Sequence, residues 1–207
     1  MNLGFLLVLA ALLGFDQPTA PPPEWTKYQR DAIAHIGKCL AEVGGGTVER
    51  LLQTTPGSTE ESKLALDLMY YHKGCLNKIG SYRVNIAAMR GSAAEAMLKR
   101  RVELTKAVAT QADTAPVRPP MGTNAIQVLD LYALCLVKAA PARALAVLNT
   151  VEGSTEETLS IKAFGELHRQ CIPTDVAYHM GYDELRTHLA SAIYLYGSSL
   201  LPERPHA

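Results

Sequence analysis

The chain repeats itself at a distance of 96 residues. Shifted by that distance, Cys39 falls on Cys135, Cys75 falls on Cys171, and the string Gly57–Glu61 (GSTEE) recurs unchanged. Between positions 31 and 97, 15 of 67 residues are identical to their counterparts, and no gap is needed. A tandem duplication of this kind predicts two similar units, and it marks the residues kept in both copies as those that the unit needs.

The four cysteines all belong to the repeat. Four cysteines allow three pairings, but a single unit before duplication had only one pair. The duplication therefore favours Cys39–Cys75 and Cys135–Cys171, each pair 36 residues apart. In the chain-entropy model, closing a loop of that size stabilises by roughly 4 kcal/mol, which is a large share of the stability of a small unit. We expect one disulfide to staple each unit.

Apolar residues recur at helical spacing in both copies, and no segment alternates with a period of two for long enough to predict a strand. The predicted fold is all-α, with two tandem, similar four-helix units at residues 21–111 and 124–201. A Pro-rich linker at 112–123 joins them, and a tail follows at 202–207. The fourth helix of the first unit is expected to continue through Lys99 toward Thr110.

The third helix of each unit has a clear start signal. Ser58 stands three residues before Glu61, and Ser154 stands three before Glu157, which is the spacing of a capping box. Both cysteines of each unit are expected on apolar helix faces, so that the disulfide joins the first helix to the third. The predicted buried face of the third helix comprises Ala65, Leu68, Tyr71 and Cys75, matched by Ile161, Phe164, Leu167 and Cys171.

Residues 1–20 resemble a secretory signal peptide. An apolar run from Leu3 to Phe15 is too short to span a bilayer and fits the hydrophobic region of a leader. Disulfides form in oxidising compartments outside the cytoplasm, so the cysteines and the leader agree. We expect an exported protein, either periplasmic or secreted, with no membrane span after the leader is cleaved.

Charge and motifs exclude several classes of function. Twenty Lys and Arg balance 20 Asp and Glu, so no overall field favours nucleic acid. The sequence contains no nucleophile elbow, phosphate loop, dinucleotide fingerprint, His-Glu-x-x-His or Cys-x-x-Cys motif. We predict no catalytic residue, cofactor or metal.

Two pairs of polar residues kept in both copies are candidate binding residues. Arg90 and Arg186 lie beside the apolar stripe of the fourth helix, where a guanidinium either binds a ligand's carboxylate or phosphate or pairs internally with a glutamate or a helix-end carbonyl. His72 and His168 lie three residues before a cysteine. They either contribute to a Cys2His metal site, which would need reduced thiols, or cap the carbonyl end of the third helix.

Positions at which the copies differ are the other place to look for function. Tyr70 and Tyr71 in the first copy stand against Glu166 and Leu167 in the second. An exposed tyrosine pair is typical of a contact surface, whereas a buried pair would belong to the core.

The succession of features resembles a group of uncharacterised exported bacterial proteins. It comprises a leader, Cys-Leu near the end of one helix, the turn Thr55–Glu61 (TPGSTEE), a second cysteine, and the segment Met89–Ala96 (MRGSAAEA). The resemblance implies an envelope location and carries no activity. In format the chain also looks like the small disulfide-bonded helical immunity proteins of periplasmic toxin systems, a likeness of architecture alone.

Two functions of different class fit these observations. The first is a non-catalytic exported protein that binds a periplasmic or envelope partner as an inhibitor, adaptor or immunity factor. The alternative is an enzyme or a small-ligand carrier that uses a cleft between the two units, with Arg90, Arg186, His72 or His168 inside it. We predict the first.

Overall fold

The structure, a computed structural model, describes residues 25–76, 85–120, 122, 124–172 and 180–202. Within these residues all regular secondary structure is helical, which confirms the all-α prediction. The expected leader at 1–20 and most of the tail lie outside them. The helices are α1 Lys27–Val43, α2 Gly45–Gln53, α3 Thr59–Tyr71, α4 Ile86–Arg100, α5 Val102–Ala109, α6 Ala125–Ala139, α7 Pro141–Leu148, α8 Thr155–Lys162, α9 Leu167–Cys171 and α10 Tyr182–Ser199.

Both predicted serine caps are present. The Ser58 hydroxyl accepts a hydrogen bond from the backbone N–H of Glu61 at 3.1 Å, and Ser154 does the same for Glu157 at 3.1 Å. The glutamate differs from the capping-box prediction, because its carboxylate accepts from the N–H of Gly57, one residue before the cap. Its second oxygen is thereby left for another partner.

The predicted third helix is broken in both halves. In the first half α3 ends at Tyr71, His72 caps it, and Cys75 lies in a 3₁₀ turn, Lys73–Leu76. In the second half Gly165, at a φ of +52°, separates α8 from α9, which carries Cys171. The prediction that Tyr71 is buried is wrong: it is the last residue of α3 and is 75% exposed.

The fourth helix of the first half is also shorter than predicted. It ends at Arg100, and Arg101, with φ −111° and ψ 64°, turns the chain into a separate helix, α5. The turn allows α5 to bury Leu104 and Val108, which a straight continuation to Thr110 would carry away from the core.

The two disulfides form as the duplication predicted. Cys39 of α1 is bonded to Cys75 with the Cα atoms 5.5 Å apart, and Cys135 of α6 is bonded to Cys171 of α9 at 5.6 Å. Each bond joins residues within one copy of the repeat, so the first half (25–111) and the second half (124–202) are linked covalently only through the backbone.

The four longest helices lie side by side in the order α1, α4, α10, α6. One continuous apolar core includes residues of both halves. At its centre α4 and α10 approach so closely that a Cβ atom on Gly91 would lie 2.4 Å from the Cβ of Thr187. Gly91 and Thr187 occupy equivalent positions of the repeat, so the halves meet through the same point of each copy.

Further contacts between the halves are reciprocal. Asn124, at the start of the second half, packs on Gly57 of the turn before α3. Arg30, near the start of α1, packs on Gly153, the equivalent glycine before α8. The start of each half therefore covers the capped turn of the other.

Candidate functional site

Arg90 is held inside the first half by a set of internal acceptors. Its guanidinium donates to the carboxylate of Glu61 at 2.9 Å and to the carbonyl oxygens of Leu52 and Thr54 at 2.8 and 3.0 Å. The Thr54 hydroxyl accepts a further bond at 3.2 Å. The side chains of Arg90 and Glu61 are 1% and 2% exposed, so this arginine fixes α4 to the end of α2 and to the start of α3.

Arg186 has the equivalent surroundings in the second half and one additional partner. It donates to Glu157 at 3.0 Å and to carbonyl oxygens that include those of Leu148 and Thr150. It also forms a two-bonded ion pair with Glu95 of α4, at 3.0 and 2.9 Å. The pair with Glu95 crosses between the halves, and Arg90 has no such partner among the described residues.

These contacts explain why much of the repeat is conserved between the copies. The identical positions Leu52, Thr54, Glu61 and Arg90 are members of a single cluster, and their counterparts form the same cluster around Arg186. The cluster satisfies carbonyl groups that would otherwise be buried without a donor at a helix end. This role in the fold explains why the arginine and the glutamate are present in both copies, and the explanation requires no ligand.

A cleft of about 290 Å³, lined by both apolar and charged residues, lies between the halves. Residues of α1 and α4 form one side of it, and Arg186, Thr187 and Glu152 contribute from the second half. Although burial raises the pKa of Glu95, hydrogen bonds to Arg186 and Lys99 and their positive charges lower it overall. Glu95 is therefore ionised, and it is engaged by cations of both halves.

Glu152 is another carboxyl group of this cleft. Burial raises its pKa to about 7, and the neighbouring charges of Glu95, Asp183 and Glu157 add to that effect, while Arg186 opposes it. Of the cleft carboxyl groups Glu95 and Glu152, Glu152 is therefore the one whose pKa lies closer to neutral pH.

His168 lines a separate pocket of about 380 Å³ within the second half. Its Nε2 lies 2.9 Å from the carbonyl oxygen of Ile161, near the end of α8, and its Nδ1 is hydrogen-bonded to the hydroxyl of Tyr132. The Phe164 ring meets the imidazole edge to face at 5.6 Å. The position of His168 agrees with a cap on helix-end carbonyls, and Tyr132 is a partner that the sequence analysis missed.

His72 lies at the end of α3, beside the tyrosines that distinguish the two copies. The side chains of Tyr70 and Tyr71 are 64% and 75% exposed, and that of Leu66 on the same helix is 60% exposed. The two rings meet edge to face at 5.2 Å, and the Lys73 ammonium lies over the Tyr70 ring at 4.4 Å from its centre. We call Leu66, Tyr70 and Tyr71 the tyrosine patch.

The four predicted binding residues therefore have separate surroundings. Arg90 is enclosed, Arg186 lines the cleft between the halves, His168 lines the pocket of the second half, and His72 flanks the tyrosine patch. A single cleft does not bring them together. The residues that the sequence analysis missed are Tyr132, Glu95 and Glu152, for which the only signal was a difference between the copies.

The cysteines are not available as metal ligands, because all four are in disulfides. Within the described ranges no group of three or more His, Cys, Asp or Glu side chains is placed to hold a metal ion. In the same part of the chain no single helix is long and apolar enough to cross a membrane. Helices α6 and α7 are long and apolar enough only when taken together, and the angle between them is 114°.

Comparison of the chain with protein-family models, curated proteins and solved structures finds no match. What the protein does has to be inferred from its own geometry.

Proposed function

We propose that the protein is a non-catalytic binding protein, exported to an oxidising compartment, and that it binds a protein partner there through the tyrosine patch. The observation that carries the proposal is the exposure of Leu66, Tyr70 and Tyr71 on one helix end. Large exposed aromatic side chains of this kind dominate the energy of protein interfaces.

Two of the three patch residues have no apolar counterpart in the second half, whereas Tyr71 corresponds to Leu167. The counterparts of Leu66 and Tyr70 are Lys162 and Glu166, which are ordinary surface residues. The repeated fold therefore does not need an apolar side chain at either position. A role outside the fold is the simpler explanation for a leucine and a tyrosine on the surface of α3.

The geometry of the patch suits binding. The edge-to-face contact of Tyr70 with Tyr71 and the ammonium of Lys73 over the Tyr70 ring hold these rings in place, so that little side-chain entropy is lost on association. Lys63 and Lys73 are exposed on α3 and in the turn that follows it. The complementary surface is an apolar pocket of a folded protein bordered by carboxylates.

The cysteines support the proposed location. Two disulfides within small units indicate an oxidising, extracytoplasmic environment. The leader-like run at 1–20 supports export, either to the periplasm or out of the cell.

Photo-crosslinking tests the proposal in the full-length protein. A photoreactive residue at Tyr70 is expected to give an adduct with one extracytoplasmic protein, and the same residue at exposed Leu159 of α8 is not. The adduct should be lost when Tyr71→Asp is added and retained with Leu159→Asp. An adduct that forms equally from both positions, or one that persists with Tyr71→Asp, would contradict the proposal.

A further inference from the structure

The pocket of the second half is a mainly apolar space that opens to the surface and contains a buried polar pair. Residues of helices α6, α8, α9 and α10 line about 380 Å³, which is within the range of small-molecule sites. Its walls are largely aliphatic, and Lys162 is the one side chain in the lining, among the described residues, that carries a fixed charge. Its other polar side chains are the hydrogen-bonded pair Tyr132 and His168 and the half-buried Tyr182.

The hydrogen bonds of this pair fix what it can offer to a ligand. The carbonyl oxygen of Ile161 only accepts, so Nε2 of His168 carries the ring proton and donates to it. In a neutral imidazole Nδ1 is then an acceptor, and the Tyr132 hydroxyl donates to it. The donors of both side chains are used, and the Tyr132 oxygen retains free lone pairs.

Burial keeps Tyr132 in its neutral form. The residue is 5% exposed, and burial raises the pKa of its hydroxyl well above the ordinary value. The pocket therefore contains a hydrogen-bond acceptor on a neutral group.

The pair is absent from the first half. The position equivalent to Tyr132 is Ile36, although His72 is kept opposite His168. The repeated fold is stable with an aliphatic residue at this place, so the tyrosine is not required for packing. Buried polar groups are hydrogen-bonded at a cost in desolvation, and a polar pair confined to one copy points to a ligand.

We infer that this pocket binds a small, neutral, mainly apolar molecule that has one hydroxyl or N–H donor, the class represented by phenols and aromatic alcohols. The donor of the ligand is directed to the oxygen of Tyr132, and its rings contact the aliphatic walls. This site lies on the second half, away from the tyrosine patch, and is independent of the proposed partner binding.

Calorimetric titration of the full-length oxidised protein with 2-naphthol and with naphthalene tests the inference. The two probes share their ring system, and only 2-naphthol has a donor. One neutral hydrogen bond should make 2-naphthol bind about three- to tenfold more tightly. In the double variant Tyr132→Phe, His168→Leu neither side chain has an acceptor, so most of the preference for 2-naphthol should be lost.

A second variant keeps the test decisive if the double variant does not fold. Leu129→Trp fills the pocket and leaves the pair intact, so it should abolish binding of both probes, whereas Val151→Trp at an exposed position should not. Three results would overturn the inference: neither probe binds at millimolar concentration, Leu129→Trp binds them unchanged, or the double variant retains the preference for 2-naphthol.

Discussion

Removing the charge of Glu61 is the most direct test of the arginine clusters. In Glu61→Gln the buried guanidinium of Arg90 retains the carbonyl oxygens of Leu52 and Thr54 but loses its carboxylate at 2.9 Å. Because both side chains are nearly inaccessible to water, the remaining charge is not solvated. Breaking a buried ion pair on one side destabilises by about 3–5 kcal/mol. Glutamine has one acceptor oxygen, so it cannot accept from both Arg90 and the N–H of Gly57. We therefore expect a loss of at least about 3 kcal/mol.

The second half supplies a comparison within the same molecule. Glu157→Gln removes the equivalent carboxylate from Arg186, which keeps the two-bonded pair with Glu95 at 2.9 and 3.0 Å. The guanidinium is then still paired with a charge. The expected loss is about 1–2 kcal/mol, smaller than for Glu61→Gln.

Urea unfolding of the oxidised protein measures the difference. Glu60→Gln and Glu156→Gln are matched controls, because each changes an exposed glutamate next to the buried one, and each should change the free energy of unfolding by less than about 0.5 kcal/mol. The reasoning is refuted if Glu157→Gln destabilises as much as Glu61→Gln, or if Glu61→Gln resembles its control.

Three further predictions concern the cleft, the disulfides and the centre of the core. Since burial raises the pKa of Glu152 to about 7 from an ordinary 4.5, the folded state binds more protons than the unfolded state between these values. The stability that the protonated Glu152 side chain contributes is then lost as pH rises through that window. At pH 8, Glu152→Gln should be more stable than the natural chain by on the order of 1 kcal/mol, after allowance for the partial exposure of the side chain. Near pH 4 the two proteins should be equally stable. Equal urea midpoints at pH 8 would contradict this. Cys39→Ser with Cys75→Ser should lower the free energy of unfolding by up to roughly 4 kcal/mol. In the natural chain, peptide mapping without reductant should find no bond between Cys39 and either cysteine of the second half. Gly91→Val should destabilise by at least about 2 kcal/mol, because its side chain overlaps Thr187; a thermal midpoint equal to that of the natural chain would show that α4 and α10 do not approach so closely.

Local signals and the duplication together predicted much of the scaffold. The serine caps depend on residues three apart, so Ser58 and Ser154 are recognisable in the sequence. The cysteine pairing needed only the inference that both copies have the same bond. The ends of the helices were harder to predict. Tyr71 was expected in the core because the spacing of Leu68 and Cys75 suggested one unbroken helix. The cap at His72 changes the direction of the chain.

The surroundings of the candidate sites depend on contacts that no spacing rule supplies. The sequence indicated a glutamate or a helix-end carbonyl as the alternative partner of Arg90, and the structure shows both. It contained no indication that Glu95 would reach Arg186 across the halves, or that Tyr132 would meet His168 at a separation of 36 residues. These pairs arise from the packing of whole helices, which amino-acid periodicity does not determine.

Gly91 and Thr187 are equivalent residues that meet each other, as equivalent residues do beside the axis of a two-fold homodimer. In a homodimer encoded by one copy, each substitution enters twice, and the two subunits necessarily have the same surfaces and the same pockets. A fused chain is free of that constraint. It can keep Tyr70 on one half and Tyr132 in the other, so that the two copies specialise while the interface between them is retained.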